Sequence, residues 1–65
     1  MKKAIPTEMY NKDGSLEMIQ YHDEEGKFII QAVWDENDEQ TSKNREAFRK
    51  WAYDFVRNKD YEVSK

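Results

Sequence analysis

From Leu16 to Trp34 the chain reads as a hairpin, broken once at Asp23–Lys27, with apolar residues on both alternating sets of positions of its two-residue rhythm. The rhythm then changes to a helical one from about Lys43 onward. Two turn signals punctuate the first half, Asn11-Lys12-Asp13-Gly14 and Asp23-Glu24-Glu25-Gly26. In each, an Asn or Asp opens a type I turn and the glycine supplies the positive φ that a tight hairpin needs at that point. This turn type pairs Asn11 with Ser15 and Asp23 with Lys27 and predicts three strands, at about 4–10, 16–22 and 27–34, in an antiparallel meander. Pro6 has no N–H to give to a ladder, which assigns the first strand to an edge.

Carried outward from the turns, this register sorts the side chains onto two faces. One holds Tyr10, Leu16, Met18, Gln20 and His22 with Phe28, Ile30, Ala32 and Trp34. The other holds Ile5, Thr7, Met9, Glu17, Ile19 and Tyr21 with Ile29, Gln31 and Val33. A one-residue slip would exchange partners between the faces. In either register both sides carry large apolar residues.

After an acidic loop, Asp35–Gln40, Thr41 or Ser42 offers an N-cap for a helix at about 42–58. Phe48, Trp51 and Phe55 fall on one stripe of that helix and are predicted to pack on Phe28, Ile30 and Trp34. The tail 59–65 carries Tyr61 and Val63, enough for a short final strand. The expected fold is α+β: one domain over 1–65, a three-stranded meander followed by a C-terminal helix on one face (β-β-β-α).

One helix covers one face, so the other is the candidate partner-binding surface, with Ile5, Met9, Ile19, Tyr21, Ile29 and Val33 as its apolar anchor. Size sharpens this expectation. The chain has 65 residues, and a domain that short buries only about 60% of the surface its unfolded form exposes. It has no cysteine and a single histidine, so neither disulfides nor a zinc site is expected to help. Association through the second face, as a homodimer or with a protein partner, is the expected remedy.

Charge adds an alternative. The net charge is −3, but residues 1–42 carry −6 and residues 43–65 carry +3. Arg45, Arg49 and Arg57 flank Tyr53 on the helix, an arrangement able to contact phosphate and stack on a base. Overall acidity makes a nucleic-acid partner the less favoured reading. The loop Asp35-Glu36-Asn37-Asp38-Glu39 lacks the central glycine and the spacing of a calcium loop. His22, Ser15 and Ser42 have no catalytic motif around them. No cofactor, metal, small-molecule substrate or enzymatic activity is expected.

No apolar run reaches the roughly 20 residues of a membrane span, and no apolar stretch follows Met1-Lys2-Lys3 to make a secretion signal. A soluble, cytoplasmic protein is expected. Size and charge fit the profile of small acidic regulators or inhibitors, including those of phages and mobile elements.

The order of strands and helix, from Gly26-Lys27-Phe28 through Ala47-Phe48, resembles the AP2-like, arm-binding N-terminal domain of phage-type integrases. That resemblance implies a sheet that enters the DNA major groove. Here the sheet region carries Glu8, Glu17, Asp23, Glu24 and Glu25 where lysine and arginine would be needed, and topology alone does not carry function.

Overall fold

The computed structural model describes residues 2–63; residues 64 and 65 of the predicted tail lie outside the described residues. Three antiparallel strands, β1 (Lys2–Tyr10), β2 (Leu16–His22) and β3 (Phe28–Val33), are followed by helix α1 (Ser42–Arg57) and a short strand β4 (Tyr61–Val63). The strand order is β3-β2-β1-β4, with β4 parallel to β1. The fold is α+β, with the helix on one side of the sheet.

Both turns form as the sequence dictates. The Asn11 N–H donates to the Ser15 carbonyl at 2.8 Å and the Asp23 N–H to the Lys27 carbonyl at 2.8 Å. Gly14 and Gly26 take φ values of +88° and +86°, conformations open to glycine at little cost.

One residue further out, each hairpin takes a bulge. Tyr10 pairs with Leu16, but Met9 then pairs with Met18, leaving Glu17 over. His22 pairs with Phe28, but Tyr21 then pairs with Ile30, leaving Ile29 over. The two bulges cancel between the outer strands, so β1 keeps its predicted faces, as does β3 beyond the bulge, and only β2 is turned over. This corrects the predicted face lists. Ile19 and Tyr21 lie beneath the helix, while Met18, Gln20 and His22 look out on the open side. The physical reason is polar burial. The unbulged register would press Gln20 and His22 under the helix, and an unpaired buried amide costs about 1–3 kcal/mol.

The helix is also rotated from its predicted seating. Ala52 and Val56 are fully buried and form the core with Ala4, Ile19, Tyr21 and Ala32. Trp51 and Phe55 of the predicted stripe are 57% and 44% exposed. The turn from Trp51 to Ala52 is about 100° around the helix axis. Alanine at the contact lets the helix come close to the sheet, and the indole then has room only at the side.

The first strand is not a simple edge. β4 pairs with its outer side over Lys2–Ala4, and Pro6 lies beyond that paired stretch, where its missing N–H leaves no gap in a ladder. The extra pairing also explains why β1 starts at Lys2 rather than at residue 4.

Candidate interaction surface

Turning β2 over produces three rungs across the open face. From the pairing of β1 with β2 and β2 with β3 they are Met9–Met18–Val33, Thr7–Gln20–Gln31 and Ile5–His22–Phe28. No formally charged side chain stands on any rung, in a chain of which 38% is charged. The middle rung is tied together by the Gln20 amide, whose Nε2 donates to Gln31 Oε1 at 3.3 Å. At one end His22 meets Phe28 edge-on, with 6.3 Å between ring centroids.

Of the six residues predicted as the partner-binding anchor, the fold keeps three together on this face. Ile5, Met9 and Val33 are exposed there. Ile19 and Tyr21 are only 2% and 3% exposed, inside the core, and burial pushes the Tyr21 hydroxyl pKa up. Ile29, the bulged residue, packs half-buried against that core. Sequence reasoning missed Phe28 and Met18, which join the face only through the bulges. The excess of polar residues on the Met18/Gln20/His22 side of β2 was the available signal.

The four residues predicted to contact nucleic acid are drawn in different directions. Arg49 grips Glu8 of β1 with Nε and Nη2, at 2.9 and 3.0 Å. The guanidinium holds the Glu8 carboxyl below its ordinary range, and Glu8 in turn raises the Arg49 pKa. The Tyr10 hydroxyl also donates to Glu8. Arg45 Nη1 donates to the Gln40 carbonyl at 2.6 Å. Arg57 lies over the Tyr53 ring, 5.6 Å from its centroid. Two of the three arginines thus hold the fold together, leaving Tyr53 and Arg57 as the outward part of the set.

Among the described residues no group of three His, Cys, Asp or Glu side chains could hold a metal ion, and no helix is long and apolar enough to cross a membrane. No protein-family model, curated protein or solved structure matches this chain.

Proposed function

We propose that this is a non-enzymatic interaction protein that self-associates through the three uncharged rungs of the sheet face opposite the helix. The observation that carries this reading is the number of large apolar side chains left exposed, four of which stand together on that face. Eight large apolar side chains are exposed: Ile5, Met9, Tyr10, Phe28, Val33, Trp51, Tyr53 and Phe55. Seven apolar residues are buried, and three of those are alanines. Ile5, Met9, Phe28 and Val33 are the four that share the open sheet face, and covering them is favourable.

The rungs support a second copy as the occupant. A two-fold axis through the middle rung would set Met9–Met18–Val33 of one copy on Ile5–His22–Phe28 of the other. Thr7, Gln20 and Gln31 are each both donor and acceptor, so the middle rung can satisfy its own image. Strands about 4.8 Å apart and rungs about 6.7 Å apart make a plane of roughly 300 Å². That is small beside the approximately 800 Å² per partner of stable complexes, so the association is weak, in the micromolar range or above.

Sedimentation velocity across a concentration series tests it. The wild-type chain is expected to shift from monomer towards dimer between tens and hundreds of micromolar. Phe28→Glu and Met9→Glu, both at exposed positions, are expected to stay monomeric while keeping the helical and sheet signature in circular dichroism. A wild-type protein that remains monomeric throughout, or glutamate variants that associate equally well, would overturn the reading.

A further inference from the structure

The loop between β3 and α1 is held with unusual completeness for an exposed acidic segment. Three successive carbonyls each accept a side-chain donor: Asp38 from Trp34 Nε1 at 3.0 Å, Glu39 from Asn44 Nδ2 at 2.8 Å, and Gln40 from Arg45 Nη1 at 2.6 Å. The Gln40 amide then bonds both backbone groups of Leu16, at 2.8 and 3.1 Å, locking the loop to the end of the sheet. At its tip the Asn37 N–H is capped by Asp35 Oδ1 at 3.0 Å, and the Asp38 N–H donates to the Asp35 carbonyl at 3.0 Å.

Between this loop and the helix runs a cleft of about 380 Å³. Its walls are Trp34, Phe48 and Trp51, with Ala47 and Asn44 alongside, and the acidic residues Asp35 and Asp38 complete the lining. Trp34 and Phe48 meet at 64° with centroids 5.0 Å apart, and Phe48 and Trp51 lie at 30° and 6.1 Å. The aromatic wall therefore turns a corner. Among the described residues the one ion pair is Glu8 with Arg49, so none of them pairs a cation with Asp35 or Asp38.

We propose that this cleft receives an arginine side chain from a protein partner. Aromatic faces attract a cation through their quadrupole, and a carboxylate beside them adds a charged acceptor. An uncharged apolar side chain would leave both negative charges without a counter-charge. An ammonium is a compact, strongly hydrated charge, whereas the flat guanidinium stacks on an indole and presents paired N–H groups to a carboxylate. The chain uses the same chemistry internally, with Lys59 Nζ 5.4 Å from the Phe55 ring centroid and Arg57 over Tyr53. The neighbouring Glu36 and Glu39 extend the negative field that steers a basic segment towards the cleft. The site goes beyond the sheet-face reading and shares only the edge residue Val33 with it.

Titration of the full-length protein with the peptide acetyl-Leu-Arg-Leu-amide, followed by the two indole N–H resonances in NMR, tests the assignment. Both resonances are expected to shift and saturate with a millimolar Kd. Replacing the arginine with norleucine or lysine is expected to weaken binding, by about tenfold for norleucine. Asp35→Asn/Asp38→Asn keeps every hydrogen bond of the loop and removes only charge, and it is expected to raise Kd by a similar factor without changing the melting temperature. Trp51→Ala, at an exposed position, is expected to do the same. Absence of any shift at about 10 mM peptide, equal binding of the norleucine or lysine peptide, or an unchanged Kd in the Asn double variant would each overturn it. Phe28→Glu leaves the cleft intact, so failure of the sheet-face association and failure of this site are read separately.

Discussion

Glu8 is the residue on which sheet and helix meet electrostatically. Its carboxylate accepts two hydrogen bonds from Arg49 across 41 residues of chain. A carboxyl whose folded pKa is depressed contributes stability above its unfolded value, near 4.3, and loses it as pH falls through the lower folded value. Glu8→Gln removes the charge and is expected to cost about 0.5–1 kcal/mol at pH 7, the size of a partly exposed ion pair. The difference from wild type is expected to shrink as pH falls through the depressed folded value and to vanish once Glu8 is protonated in both folded and unfolded chains. Urea unfolding at pH 7 and at successively lower pH checks both parts. Nothing in the local sequence around Glu8 or Arg49 announces this pair, because it depends on which helix face turns to β1.

Among the elements, α1 was the most legible, in extent if not in orientation. Thr41, one of the two expected candidates, caps it, its Oγ1 accepting the Asn44 N–H at 3.0 Å, and the helix ends within one residue of the expected position. Its exit is less comfortable. Asp60 holds φ at +66°, a left-handed conformation that favours glycine. That turn lets the chain reverse and lay β4 beside β1. Asp60→Gly is expected to stabilise the protein by about 0.5–1 kcal/mol, offsetting the strain against a more flexible unfolded chain. Thermal unfolding should register it as a rise of a few degrees. The sequence allowed a final strand at Tyr61–Val63 but not its partner, since parallel pairing with β1 requires the helix to carry the chain from one edge of the sheet to the other.

At the scale of the whole molecule, the proposed self-association ties stability to concentration. If the open face is covered by a second copy, association adds to the folding free energy by mass action. A hundredfold rise in protein concentration is then expected to raise the melting temperature by about 4–8 °C, the shift that about 1 kcal/mol gives a domain of this size. Phe28→Glu is expected to melt at a temperature independent of concentration, and differential scanning calorimetry at two concentrations distinguishes the cases. The sequence by itself determined the two turns, the strands they join, the helix and the presence of apolar residues on both sheet faces. Those features are set by contacts within a few residues: a capped turn, a glycine at positive φ, a threonine ahead of a helical repeat. Only the tertiary structure decided which face of β2 is covered and which stripe of the helix covers it. A bulge adds one residue to a strand at little local cost, yet it turns over every side chain beyond it. Whether it forms is settled by what the other side of the sheet would otherwise have to bury, here Gln20 and His22 in place of Ile19 and Tyr21.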